Sequence, residues 1–139
     1  MIDAVVVAHG QADVVSRAAR SIRSAGDMVR SLTIVDTAGD QALADLADDA
    51  PLAATVLPCP ANPGYGSAAN AGVDLGRAPL VLVANADVWV HHGALDELAR
   101  ALDEAPDAAC AGPLLLNTDG SPQDSAFAFP GLGQAVSDL

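Results

Sequence analysis

Short apolar runs alternate along the chain with stretches in which apolar side chains recur every three or four positions. The first run, Asp3 to Ala8, is β-branched and stops at His9-Gly10, which predicts a buried strand with a loop at its C-terminal end. From Ala12 to Ala25, Val14, Val15, Ala18, Ala19 and Ile22 share one face of a predicted helix, and Arg17, Arg20 and Arg23 share a solvated one. Ser31 to Val35 reads as a second strand ending in Asp36, Gln41 to Asp49 as a helix with Leu43 and Leu46 inward, and Ala53 to Leu57 as a third strand closed by Pro58-Cys59-Pro60. Asn62 to Gly72 splits into a turn containing Pro63, Gly64 and Gly66 and a helix of small residues that can pack closely on a sheet. Leu80 to Ala84 is continuously apolar and predicts a strand buried on both faces, delivering Asn85 and Asp87 just past its end. Gly93 to Glu104 is an amphipathic helix. Ala108 to Leu116 reads as a strand interrupted by Gly112-Pro113, and Asn117-Thr118-Asp119-Gly120 as a turn opening a hairpin whose second arm is Asp124 to Phe129. Gly131 to Leu139 suggests no element.

Strands alternating with helices imply one α/β domain over residues 1–139, with a mostly parallel sheet, helices on both faces and a C-terminal β-hairpin. In such sheets ligands bind outside the carboxyl ends of the strands. Three of the predicted strand ends carry polar groups there: His9, Asp36 and the pair Asn85/Asp87. A carboxylate leaving a buried strand needs water, a donor or a cation, and for Asp87 a divalent metal carrying a nucleoside diphosphate fits that need. Asp119, within Asn117 to Gly120, is better read as a turn residue than as part of a site.

Composition narrows the partners. Eighteen acidic residues face six arginines and no lysine, a net charge of −12, which excludes a nucleic-acid backbone or an anionic membrane as the main partner. The same scarcity of cations means that a bound diphosphate would rely on a metal ion, backbone N–H groups and helix N-termini. With 51% hydrophobic but only 3% aromatic residues the core is aliphatic. Cys59 and Cys110 lack ligand spacing and read as free buried thiols. No apolar run is long enough to cross a bilayer, so the expected location is cytoplasmic, at most peripheral to the membrane. A dinucleotide fingerprint would need a glycine-rich first loop, where His9-Gly10-Gln11 stands.

Taken in order, Val5-Val6-Val7-Ala8-His9-Gly10, Ile34-Val35-Asp36-Thr37-Ala38-Gly39-Asp40, Asn62 to Gly72, Val83-Ala84-Asn85-Ala86-Asp87-Val88, Gly93-Ala94-Leu95 and Gly112-Pro113-Leu114-Leu115 with Asp119-Gly120-Ser121 resemble a family 2 glycosyltransferase of the GT-A fold. Within that family the chain resembles the rhamnosyltransferase-like branch. The resemblance implies a UDP- or dTDP-sugar donor and a glycan or lipid-linked acceptor. It implies nucleotide-sugar contacts from Ala8, His9, Gly10, Asp36, Gly64, Gly66, Asn70, Asn85 and Asp87, the Gly64 to Asn70 stretch closing over the nucleotide. Asn85-Ala86-Asp87 would stand for the family's Asp-x-Asp motif, with Asp87 holding Mg²⁺ or Mn²⁺ and Asn85 departing from the usual acid. Transfer with inversion also requires a general base, which the family carries downstream in its acceptor-binding half. Asp119 reads as a turn residue and Asp124 is the other candidate, so no catalytic residue is assigned. The alternative is a non-catalytic nucleotide-sugar-binding or assembly module of the same fold, completed by a partner subunit or a second copy. His91 and His92 read as solvated, and Trp89 as core or interface.

Overall fold

The computed structural model describes residues 1–125. The elements run β1 (Ile2–Ala8), α1 (Ala12–Ser24), β2 (Val29–Asp36), α2 (Gln41–Ala44, continued as a 3₁₀ turn over Asp45–Asp48), β3 (Thr55–Pro58), α3 (Tyr65–Val73), β4 (Leu80–Asn85), α4 (Ala94–Glu104), β5 (Leu115–Leu116) and β6 (Pro122–Gln123). The first four strands form one parallel sheet in the order β3-β2-β1-β4, and β5 and β6 pair antiparallel as a separate hairpin. Val7 lies beside Val35 on one side and Asn85 on the other, so the C-terminal ends of β1, β2 and β4 are level.

Alternation along the strands sends side chains to two helical layers. Ala4, Val6 and Ala8 of β1 join Leu32 and Ile34 of β2 under Val15, Ala19 and Ile22 of α1, and α4 continues this layer with Leu95 and Leu98 over Leu80 and Leu82. On the other face Val5 and Val35 pack against Ala68 of α3. That approach is close because α3 is built of small residues. A Cβ on Gly72 would lie 2.6 Å from Val5 Cγ1 and 2.9 Å from Val35 Cγ2, inside contact distance.

The structure corrects several expectations at the far side of β4. α3 covers β1 and β2 and leaves β4 beyond its reach, so Val81 and Val83 are each 43% exposed and the strand is buried on one face only. Trp89, 68% exposed, is not a core residue. The strand expected over Ala108 to Leu116 shrinks to Leu115–Leu116, because Pro113 lacks an N–H and the segment before it pairs with no strand of the parallel sheet. The second hairpin arm is Pro122–Gln123, earlier than Asp124 to Phe129, of which Ala126 to Phe129 lie outside the described residues. Cys59 is half-buried and Cys110 exposed. Nor are the α1 arginines a uniformly solvated face. Arg20 pairs with Asp49, and Arg23 donates to the carbonyls of Leu52, Val29 and Ala53 at 3.0, 3.3 and 2.5 Å, tying α1 to the start of β2 and the approach to β3.

At the N-terminal edge of the sheet, Asp3 is 2% exposed and gathers donors from two segments, the start of β2 and the connection from α3 to β4. Arg30 binds it through Nε at 2.9 Å and Nη2 at 2.6 Å, the Ser31 hydroxyl at 2.5 Å, the Ala78 N–H at 2.6 Å, and the Arg77 N–H completes the set. The Arg30 guanidinium, helped by these donors and opposed by burial, holds the Asp3 carboxyl far below the usual carboxylate range.

Two outcomes are expected. Gly72→Ala should lower stability by about 1–3 kcal/mol, because Val5 and Val35 are backbone-anchored core residues that cannot retreat; an unchanged urea midpoint would contradict the packing. Asp3 titrates lower folded than unfolded, so its stabilisation is present above the unfolded value of about 3.9 and is lost as pH falls through the folded one. Asp3→Asn should therefore be less stable than the wild type at pH 7 and lose less on acidification. Equal losses from pH 7 to pH 3 in urea titrations of the two proteins would remove Asp3 from the acid response.

Candidate functional site

The strand order places a switch point between β1 and β4, since β1 is followed spatially by β2 on one side and β4 on the other. A cleft of about 330 Å³ opens there. It is lined by Val7, Ala8 and His9 at the end of β1, Thr37 after β2, Asn62 and Tyr65 at the entry to α3, and Asn85, Ala86 and Asp87 at the end of β4. Four of the residues expected from sequence, Ala8, His9, Asn85 and Asp87, thus meet in one place. None of the six arginines lines the cleft.

Asp36 behaves differently from the expectation that it faces a base and ribose. It is 3% exposed and absent from the cleft lining, because its carboxylate turns into the following loop. Oδ1 accepts the N–H groups of Ala38 and Gly39 at 2.9 and 3.0 Å, and Oδ2 that of Asp40 at 2.8 Å. A buried carboxylate surrounded by three amides is a fastener for the loop. What it fastens is Thr37, whose N–H and hydroxyl both donate to the Ala8 carbonyl at 2.9 Å and whose hydroxyl oxygen lies 3.0 Å from His9 Nδ1. Asp36 therefore acts on the cleft through its neighbour.

The glycines of the third loop also stand outside the cleft lining. Gly64 caps the N-terminus of α3 at φ 92°, ψ 161°, a conformation that needs glycine, and so aims the first turn of the helix. Gly66 and Asn70 lie within α3, which begins at Tyr65, so the turn is shorter than expected and Gly66 is helical. Gly10 sits behind His9 at φ 73° without reaching the cleft. In place of these residues the loop offers Tyr65, whose phenol is pushed above its ordinary value by partial burial and stays a neutral donor. The N–H groups of the first turn of α3 have no intrahelical partner and lie beside that tyrosine.

Past the Asn85-Ala86-Asp87 turn, the chain is tied to the end of α1. Val90 N–H donates to Ser21 Oγ at 3.0 Å, His92 Nδ1 to the Ser24 carbonyl at 3.2 Å, and Gly93 N–H to the Ala25 carbonyl at 2.8 Å. This explains His92, which is occupied as a backbone donor, and leaves His91 exposed. Asp87 is exposed and enters none of the ion pairs among the described residues, which are Arg20–Asp49, Arg30–Asp3, Arg100–Glu97 and Arg100–Glu104. No set of three or more His, Cys, Asp or Glu side chains is arranged to hold a metal among the described residues. Asp119, which is not among the cleft lining residues, accepts the Ser121 N–H at 2.9 Å and its hydroxyl at 2.6 Å, and that hydroxyl lowers the Asp119 carboxyl below its ordinary value. It is a turn residue, as its sequence context indicates.

Sequence reasoning missed Thr37, Asn62, Tyr65, Val7 and Ala86 as lining residues. Thr37 follows the acid that ends β2, and a hydroxyl next to such an acid is a usable signal once the loop is known to fold back on β1.

Comparison with known proteins agrees with this geometry. The model for the family described as glycosyl transferase family 2 matches residues 3–126. Two curated relatives, each an N-acetylglucosaminyl-diphospho-decaprenol L-rhamnosyltransferase of Mycobacterium tuberculosis, are 38% identical over an 88-residue alignment covering 55% of this chain and 29% of the relative. The chain thus spans less than a third of their length. Among solved structures, residues 1-349 of S. aureus TarS superpose with a TM-score of 0.61 at 18% identity, over 74% of this chain and 32% of that one. A second TarS structure gives 0.60 over 19% of its length. At that identity the likeness is one of fold.

Removing the Asp36 carboxylate frees three amides at once, so Asp36→Ala should cost about 2–4 kcal/mol, read from urea denaturation. A cost below about 1 kcal/mol would mean that the loop does not depend on it.

Proposed function

The chain belongs to glycosyl transferase family 2, and we propose that within it this domain binds a UDP- or dTDP-sugar at the β1–β4 cleft for transfer, with inversion, to a glycan or lipid-linked acceptor. The observation that carries this reading is the convergence of His9, Asn85 and Asp87 at the switch point, in a cleft that no arginine lines. A diphosphate brought there needs positive charge from elsewhere. The N–H groups opening α3 and a divalent cation are the sources at hand.

Mg²⁺ or Mn²⁺ fits the residues present. Asp87 is an exposed carboxylate at the cleft without an ion-pair partner among the described residues, and such a cation commonly takes one or two carboxylates and completes its shell with substrate phosphates and water. The lack of a three-ligand set agrees with a cation that arrives together with the nucleotide. Asp87 would hold it, and Asn85, a neutral amide, would donate to or accept from the ribose or a bound water. When bound, the cation would act as a Lewis acid, stabilising the negative charge that gathers on the leaving diphosphate. Tyr65 and Asn62 would close the opposite side of the cleft.

The names of the curated relatives support a lipid-linked saccharide as the acceptor class and a deoxysugar as the group transferred. A second reading, a nucleotide-sugar-binding module without turnover, is favoured by one observation. Asp87 is the sole acid lining the cleft among the described residues, and no further carboxylate stands there to serve as base.

The test is calorimetric titration of UDP and dTDP into the protein with Mn²⁺ and with chelator. Binding in Mn²⁺ should weaken at least about tenfold in chelator, and Asp87→Ala should erase the difference. Equal affinity in both solutions would defeat the metal role of Asp87.

A further inference from the structure

His9 and Thr37 form a short directional chain whose polarity is fixed by proton count. Thr37 Oγ1 lies 2.9 Å from the Ala8 carbonyl oxygen, and two oxygens at that distance need a proton between them. The carbonyl has none, so the threonine hydroxyl supplies it. Its single proton committed, Oγ1 can only accept from His9 Nδ1, 3.0 Å away. Nδ1 therefore carries a proton. In the neutral ring Nε2 is then the acceptor, and it has no hydrogen-bond partner among the described residues while His9 lines the cleft.

From this geometry we propose that Thr37 locks His9 as the Nδ1–H tautomer, so that Nε2 meets a hydrogen-bond donor of the nucleoside. The two candidate donors are the imide N–H of a uracil or thymine base and a ribose hydroxyl. A cytosine base presents an unprotonated nitrogen where uracil presents its N–H, so an acceptor at this point would discriminate between the two. The assignment deepens the donor-site reading and rests on it for the identity of the ligand. The tautomer itself does not. Asp36 contributes at one remove, because its three amide bonds hold the loop that carries Thr37.

The experiment is long-range ¹H–¹⁵N correlation NMR on histidine-labelled protein, in which three imidazoles give a simple spectrum and His9→Gln identifies the signal of His9. Near neutral pH, His9 should show the Nδ1–H pattern, Thr37→Val should shift it toward the Nε2–H form, and Thr37→Ser, which keeps the hydroxyl, should restore it. With Mn²⁺ replaced by Mg²⁺ to avoid paramagnetic broadening, UDP should then move the Nε2 resonance. If CDP binds and leaves it unmoved, the partner is the imide; if CDP and UDP move it alike and 2′-deoxy-UDP does not, the partner is the ribose hydroxyl. Thr37→Val should weaken UDP by about threefold to tenfold, the worth of one hydrogen bond. A predominantly Nε2–H ring in the free wild type overturns the lock whatever binds. An Nε2 resonance that stays still while calorimetry shows UDP bound overturns the acceptor role and leaves the donor site standing. If no nucleotide binds at all, the donor-site reading fails and the acceptor role fails with it, the tautomer result being read separately.

Discussion

Everything in this domain is referred to β1, because it has a helical layer on each face and is the strand that joins β4 to β2 and so brings the two sides of the cleft together. A strand so enclosed has to be apolar in its middle, and polar side chains are tolerable only at its ends. The chain follows this rule at both. Asp3, at the entrance, is buried and supplied with donors from β2 and from the α3–β4 connection, so the carboxylate fastens the neighbours whose backbones must be in register with it. His9, at the exit, is exposed and keeps one ring nitrogen without a partner among the described residues. The two ends differ in what their polar groups are left to do.

The same contrast separates Asp36 from Asp87. Both are acids at the C-terminal ends of parallel strands, and from the sequence they look equivalent. Asp36 ends an inner strand, beside β1, where burial forces its oxygens to find donors, and the amides of residues 38–40 wrap around it. Asp87 follows β4, whose outer face is open, so its carboxylate is exposed and no donor among the described residues is drawn in. A carboxylate already ringed by amides has little capacity for a cation. One that is solvated can exchange its water for a metal ion at modest cost.

How far such distinctions were legible follows from their range. The strands, helices and two-faced layering came from periodicity, which is local, and the resemblance in motif order pointed to the same fold. The exposure of Val81 and Val83 was hidden, because a continuous apolar run looks the same whether a helix lies over it or stops one strand short. The inward turn of Asp36 was hidden for a related reason: a carboxylate before Thr37-Ala38-Gly39-Asp40 can cap its own loop or meet a ligand, and the choice depends on burial by elements far away in sequence. The glycines were legible as to conformation and misleading as to contact. Gly64 does take a backbone geometry that other residues avoid, yet its effect is to aim Tyr65 at the cleft, which the sequence motif did not single out.

The acidic balance of the chain bears on what the cleft can recognise. Of the six arginines, Arg20, Arg30 and Arg100 pair with carboxylates, Arg23 and Arg77 donate to backbone carbonyls, and none of the six lines the cleft. A site without free cations does not attract anions in general, and phosphate alone would find there only the N–H groups opening α3 beside a solvated carboxylate. Under the proposed donor-site reading, affinity would be assembled from several weak, directional contacts: an amide at Asn85, a ring nitrogen at His9, a phenol at Tyr65, and a cation that Asp87 would share with the incoming phosphates. Such an arrangement would favour a ligand carrying base, ribose and diphosphate together over any fragment of it, since only the whole molecule would reach every contact at once. On that reading, discrimination at this cleft would come from geometry rather than from net charge.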